Sequence, residues 1–467
     1  MTVSFTGQAY RQRLEAALCD GWRFAGLHAT GGGSQVHVLL TDREAGHRLE
    51  TVTVDADASV QSIVDLVPAA GWDEREAHDQ YGIGFAGHQP LRPLVDHDPD
   101  LVRWTVPVRG HDAYQIAVGP IHAGIIESGH FRFHVVGDRI LHLDARLFYK
   151  HRGLEKAAEG AALEDGLAFA ARACAACAVT NSVAYAHACE HALGLTSTAE
   201  LARVRTVLLE LERTWNHLND ISQICAGVGL AAGTTRFAAL TERARRLNAA
   251  LTGHRYLFGN IHVGGSNLNI TTDQIRSTRA ELSALQAEAA TAWRELMFNS
   301  SFQDRLPDIG VVTFNDAVRL GAVGPAARAS GLAHDLRSAS PRLAYDGFEP
   351  AVPNRAAGDV QARLEQRGLE LWQTFAILEQ LLDRAIEPAA ALPGNHPTPI
   401  GVGQVESPRG ATTCIVEHNR HHIARLRLRT GSYANWPVVA HAATENLLPD
   451  FPLINKSFEL CYACADR

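Results

Sequence analysis

Eight cysteines stand at positions 19, 174, 177, 189, 225, 414, 461 and 464. Four of them form two pairs of the same spacing, Cys174-Ala175-Ala176-Cys177 and Cys461-Tyr462-Ala463-Cys464. Two thiols three residues apart can converge on one ion, most readily where a turn enters a helix and its unpaired N–H groups favour thiolate. Four thiolates make a soft site suited to zinc, iron or nickel. Local zinc motifs keep their pairs within about 20 residues of each other. Here much of the chain separates them, so a joint site forms only after the intervening residues have folded. Spacing alone leaves three readings open: one shared metal site, separate redox or metal roles, or coincidence. Cys19, Cys189, Cys225 and Cys414 are isolated and read as small core residues.

The rest of the composition sets the frame for such a site. A chain of 467 residues with 46% hydrophobic and 20% charged content buries a large core and divides into two or three domains. A net charge of −8 argues against nucleic acid as a partner. The opening MTVSFTGQAYRQRLEAAL has neither the basic region nor the apolar stretch of a signal peptide. No run of about 18 apolar residues is present. A cytoplasmic setting is expected, with peripheral membrane association open, and a disulfide framework is not.

The pattern predicts an α+β chain: a small N-terminal α/β domain over 1–105, then a largely helical bundle domain over 106–467 with peripheral strands. In the first part, Tyr10, Leu14 and Leu18 mark a helix. RFAGLHA and SQVHVLLTD read as strands around Thr30–Gly33, and RLETVTVDA as a third strand. SVQSIVDLV reads as a helix, with Val60, Ile63, Val64 and Val67 on one face. Gly87–Asp100 reads as an extended exit. YQIAVG and a hairpin turning at Gly137-Asp138 follow. Ser197 with Glu200 reads as a capping box opening a helix whose stripe is Leu201, Val204, Leu208, Leu211, Trp215 and Leu218. Helical periodicity recurs over 273–297 and 360–386, and strands return at GVGQVE, TTCIVEH and ARLRLRT.

Six stretches carry a specific resemblance: GPIHAGIIESGHFRF, YKHRGLEKAAEG, LTGHRYLFGNI, GAVGPAARASGLAHDLR, GVGQVESPRG and PDFPLINKSFELCYACADR. Over 115–467 the chain resembles the large-subunit family shared by nickel–iron hydrogenases and the complex I D subunit. It looks most like the membrane-bound, energy-converting, formate hydrogenlyase-type group. GWDEREAHDQYGIGFAGHQPLRPL resembles the complex I C subunit, fused in front as a docking domain. The resemblance implies a nickel–iron centre whose iron carries carbon monoxide and cyanide. Cys174 and Cys461 would be terminal nickel ligands, and Cys177 and Cys464 would bridge nickel and iron. Dihydrogen would be split or formed heterolytically, with Arg409 suspended over the metals and Glu127 relaying protons. His122 aligns with a functional histidine of the complex I relatives. Glu155 matches a carboxylate near a second cation, for which an ion pair with Arg467 is the expected substitute. The resemblance also implies partners: a small, complex I B-like subunit carrying [4Fe–4S] clusters, a ferredoxin-like subunit, and integral antiporter-like and anchor subunits. The chain would then sit peripherally on the cytoplasmic face of the inner membrane. Arg467 falls near the point where the family clips a C-terminal extension.

The match departs from the best-studied hydrogenases at positions around the thiols. Ala175 replaces a glycine, and Asn181 replaces a histidine that can titrate. Glu459-Leu460 replaces Asp-Pro, and Ala465 replaces a common threonine. These departures keep two rival readings in play: a complex I-like C/D coupling subunit without nickel and iron, and a metal-stapled scaffold.

Overall fold

The computed structural model describes residues 4–467, apart from 6, 31, 43–45, 56, 98–103, 122–126 and 395–396. His122 therefore lies outside the described residues. The fold is α+β. The first sheet has the order β1-β4-β3-β2, from β1 (Ser4–Phe5), β2 (Arg23–Ala29), β3 (Gln35–Thr41) and β4 (His47–Thr53). β2, β3 and β4 run antiparallel, and β1 adds in parallel beside β4. Helix α1 (Gly7–Cys19) joins this core through Tyr10 and Leu14.

The stretch expected to be a helix around Val60–Val67 is instead a short strand, β5 (Ser59–Gln61), followed by turns. β5 pairs in parallel with β6 (Gly84–Ala86). The buried Glu74 carboxylate accepts Ser62 Oγ–H at 2.8 Å and Ile63 N–H at 2.8 Å. Long-range pairing and one carboxylate thus override four apolar residues that happen to fall at helical spacing. The helix lies just beyond, α2 (Gly71–Tyr81), within the GWDEREAHDQYG motif. From it Asp79 Oδ2 accepts the N–H groups of Leu94, Val95 and Asp96 at 2.7, 2.7 and 3.1 Å. Arg75 donates to the carbonyls of Arg92 and Pro93. The motif's charges pin the exit from the first sheet.

A three-stranded sheet follows: β7 (Tyr114–Val118), β8 (His130–Val136) and β9 (Arg139–Arg146), with the hairpin turning at Gly137-Asp138. The helical part begins with α3 (Leu154–Ala158), α4 (Leu163–Ala171) and α5 (Ala178–Leu193). Its axis is α6 (Ala199–Val228), whose predicted apolar stripe is fully buried. Thr198, not Ser197, caps it, accepting Leu201 N–H, while Glu200 turns to Arg203 and Arg384. The expected capping box is thus one residue out of register. The box that forms is Thr271 with Gln274, opening α8 (Thr272–Met297). α7 (Ala231–Thr252), α8 and α9 (Val360–Leu381) complete the bundle around one large apolar core.

A second three-stranded sheet, β10 (Ile400–Ser407), β11 (Gly410–Asn419) and β12 (His422–Arg429), is antiparallel throughout. Helices α10 (Gly431–Ala443), α11 (Phe451–Phe458) and α12 (Tyr462–Asp466) close the chain. Cys189, Cys225 and Cys414 are core residues as expected, but Cys19 is exposed at the end of α1. Among the described residues no single helix is long and apolar enough to cross a membrane.

Candidate metal centre

Each cysteine pair stands where a turn enters a helix. Cys174 opens the tight turn Ala175–Cys177 that leads into α5, and Cys461 is the N-cap of α12. Folding brings the pairs together: the Sγ atoms of Cys174, Cys177 and Cys464 all lie within 4.8 Å of one another. Cys461 Sγ is 2.9 Å from Cys174 Sγ. Cys174, Cys177 and Cys464 are buried, and Cys461 is half-buried.

The second pair is held by the rest of the molecule. Asp466 accepts N–H groups from Phe148 and Lys150 at 2.7 and 3.0 Å. Ser432 Oγ accepts Cys461 N–H, and Thr430 Oγ–H donates to the Cys464 carbonyl. Crowded thiols share protons unequally. Hydrogen bonds from Cys174 and then Cys464 pull Cys177 down to about 6. Cys461 is pushed up to about 12, first by its bond with Cys174. Four thiols this close cannot all ionise without a cation among them, so the donor set fits a soft metal centre.

Arg409 is a fixed positive charge beside the thiols. It sits in the two-residue turn between β10 and β11. Its guanidinium donates to the Glu459 carbonyl at 3.0 Å, to Asp220 Oδ1 at 3.0 Å, and to Asn216 Oδ1. Asp220 and then the Cys177 thiolate raise its pKa despite burial. The turn itself is seated by glycines. A Cβ on Gly324 or Gly410, both at positive φ, would strike the other's backbone, and one on Gly431 would strike the Arg409 carbonyl.

Glu127, Cys174, Arg409 and Cys461 line one cavity of about 610 Å³. Burial, above all, raises the Glu127 carboxyl above its usual range. Asn181 is fully buried on α5, and neither its Oδ1 nor its Nδ2 has a partner. Glu155 pairs with Arg425 at 3.3 Å, Arg467 at 3.4 Å and Arg427 at 3.7 Å. The expected Glu155–Arg467 ion pair therefore forms, inside a cluster of guanidinium groups.

Three supporting residues were not singled out from sequence: Glu212, Asn216 and Asp220. All are buried at four-residue intervals on one face of α6. Asn216 Nδ2–H donates to the Ala176 carbonyl inside the first thiol turn. Glu212 accepts the N–H groups of Val179 and Thr180 at the start of α5, at 2.7 and 3.1 Å, and burial raises its carboxyl to about 7. Such a polar stripe within a leucine-rich helix is the signal that could have exposed them.

The chain is similar to several known proteins. Formate hydrogenlyase subunit 5 of Escherichia coli (strain K12) is 30% identical over 475 residues, spanning 93% of this chain and 82% of that protein. The chain belongs to the hydrogenase large-subunit and complex I C/D family. Hydrogenase-4 component G of the same organism is 31% identical over 89% of this chain and 77% of its own length. Residues 228–398 match the model of the respiratory-chain NADH dehydrogenase 49 Kd subunit, and 21–111 that of the 30 Kd subunit. A subunit of the membrane-bound sulfane sulfur reductase, an archaeal respiratory membrane complex, superposes with a TM-score of 0.70. It is 27% identical and covers 76% of this chain and 99% of its own. As a family member this chain is an oxidoreductase subunit that works within a larger assembly.

Proposed function

We propose that this chain is the catalytic large subunit of a membrane-associated, energy-converting nickel–iron hydrogenase, interconverting protons and dihydrogen. The observation that carries this reading is the convergence of four thiols from two distant stretches of the chain, with Cys174 and Cys461 opening on the cavity that the buried Arg409 also lines. Cys174 and Cys461 would hold nickel as terminal ligands, and Cys177 and Cys464 would bridge it to an iron bearing carbon monoxide and cyanide. Such a centre supplies a redox-active Lewis acid with a place for the hydrogen molecule. The chain's residues do the rest. Arg409 holds a fixed positive charge at the reacting face, its planar fork locked by Asn216 and Asp220. Glu127, with a carboxyl raised towards neutrality, takes up and releases the proton on the Cys461 side. Glu155 with its arginines supplies fixed charge in place of the second cation, and Asn181 offers an amide to the centre from α5.

Residues 1–105 form the docking domain in this reading, and 106–467 the catalytic one. Electrons pass to a small, complex I B-like subunit with a [4Fe–4S] cluster and on to a ferredoxin-like subunit. Antiporter-like and anchor subunits hold the assembly, with this chain peripheral on the cytoplasmic face of the inner membrane. Elemental analysis with infrared spectroscopy of the purified complex tests the proposal. Nickel with carbonyl and cyanide bands on iron is expected. Zinc or no metal, without those bands, would overturn it and favour a complex I-like coupling role. The match to both NADH dehydrogenase models speaks for that second reading.

A further inference from the structure

A second convergence of ligand-type side chains lies away from the thiols, where the first sheet meets the last one. His28 on β2 and His37 on β3 are directly opposite in register, with ring centroids 5.0 Å apart. Glu417 on β11 reaches them from the other part of the molecule. It sits at an irregularity in the β11–β12 ladder, between Glu417 and His418, where a bulge re-aims side chains. The three ligand atoms lie within 4.8 Å of one another, and both imidazoles are buried.

The cluster is badly under-satisfied as it stands. Glu417 Oε1 is 3.2 Å from His28 Nε2 but 3.8 Å from His37 Nε2, too far for a hydrogen bond. His37 Nε2 and His28 Nδ1 are buried without any hydrogen-bond partner. His37 Nδ1 is 2.6 Å from Thr51 Oγ1, its register partner on β4, which fixes the ring and leaves Nε2 aimed at the carboxylate. Neighbouring cations do not answer Glu417 by direct contact. Arg425 is paired with Glu155, and Arg427 with Asp73 and Glu76. Burial holds both rings neutral, the form a metal binds, with His37 pushed down to about 3.

We propose that His28, His37 and Glu417 bind a divalent first-row transition ion, zinc foremost, that staples the N-terminal sheet to the β10–β12 sheet. Tetrahedral zinc with bonds of about 2.0–2.1 Å places its ligand atoms about 3.3–3.4 Å apart, close to the 3.2 and 3.8 Å found. Two nitrogens and one oxygen are a normal zinc set, with water completing the shell. Because the ligands come from both parts of the chain, the site is whole only when those parts are packed together.

The test is zinc content of the full chain with Cys174, Cys177, Cys461 and Cys464 all changed to serine, so that the thiol centre binds none. About one zinc per chain is expected. Adding His37→Ala or Glu417→Gln should lower it at least about tenfold. No zinc in the four-serine chain offered excess zinc sulfate, or undiminished zinc after His37→Ala, would overturn the proposal. Should the serine variant not fold, zinc-edge X-ray absorption of the unaltered chain decides. A nitrogen and oxygen shell at about 2.0–2.1 Å supports the site, and a purely sulfur shell or no bound zinc overturns it. Nickel content, which the thiols govern, should be unchanged by His37→Ala, so this site and the thiol centre fail independently.

Discussion

Two of the molecule's clusters of buried charge are balanced differently. Between the first sheet and β12, Arg425, Arg427, Arg429 and Arg467 meet Asp73, Glu76, Glu155 and Glu159. Each of these guanidinium groups has a carboxylate within reach. At the thiols, Arg367 and Arg409 share Asp220. The other nearby carboxyl, Glu459, is pushed up to about 8 by burial and by Asp220, so it is largely uncharged at neutral pH. The first cluster completes itself and locks two parts of the fold. The second leaves positive charge over, which thiolates and the metals they hold would answer. Matched buried charge serves architecture; unmatched buried charge marks a place where chemistry supplies the counter-ion.

The sharpest way to break this contrast is Cys464→Ser, which should bring hydrogenase activity to background and strip nickel from the complex while leaving the matched cluster intact. Nickel and activity both at wild-type levels would end the bridging role. Next in size is Arg427→Ala. It takes one of two guanidinium partners from each of Asp73 and Glu76, which keep Arg429 and Arg467, and should cost about 3 kcal/mol in urea unfolding of the chain. A loss under about 1 kcal/mol would mean the cluster is not closed by pairing. Arg409→Lys keeps the charge but loses the fork. Turnover should fall about a hundredfold with nickel content unchanged; full turnover would make Arg409 purely structural.

Acid sharpens the matched side. Arg427 and Arg467 hold the Glu76 carboxyl well below its usual range against the opposing effect of burial. A depressed carboxylate binds fewer protons folded than unfolded, so its stabilisation is full above the unfolded pKa and lost as pH falls through the acid range. Unfolding measured between about pH 5 and pH 3 should show a shallower acid loss in Glu76→Gln. An identical slope would place the acid sensitivity elsewhere. Thr271→Ala, in a helix cap belonging to neither cluster, should cost only about 1 kcal/mol and leave activity untouched.

Sequence made one side of this contrast more legible than the other. The thiols declared themselves by spacing, and Arg409 and Glu127 by resemblance. The leucine stripe of α6 was visible as period, but the same helix hid Glu212, Asn216 and Asp220, because periodicity ranks residues by hydropathy and these are buried polar groups. Val60, Ile63, Val64 and Val67 satisfied a helical template while the parallel pairing of β5 with β6 decided otherwise. That pairing depends on residues more than twenty positions away. The Glu155–Arg467 pair was foreseen, but the Arg425, Arg427 and Arg429 side of the cluster was not. In a β-strand alternate residues share a face, and ARLRLRT read simply as a strand. Its arginines share the face that meets the first sheet and α2.

The back-to-back glycines beneath Arg409 carry a consequence of another kind. Gly324, Gly410 and Gly431 make no bond to the guanidinium, yet the clearance they leave sets where it can stand. The arginine is located by missing atoms as much as by its hydrogen bonds. A single methyl at any of the three would act as a shim under the turn, lifting the charge off its station while every reactive group kept its identity. Damage of that sort would look, in an assay, like a lesion of the centre itself, although the altered residue never meets a sulfur atom.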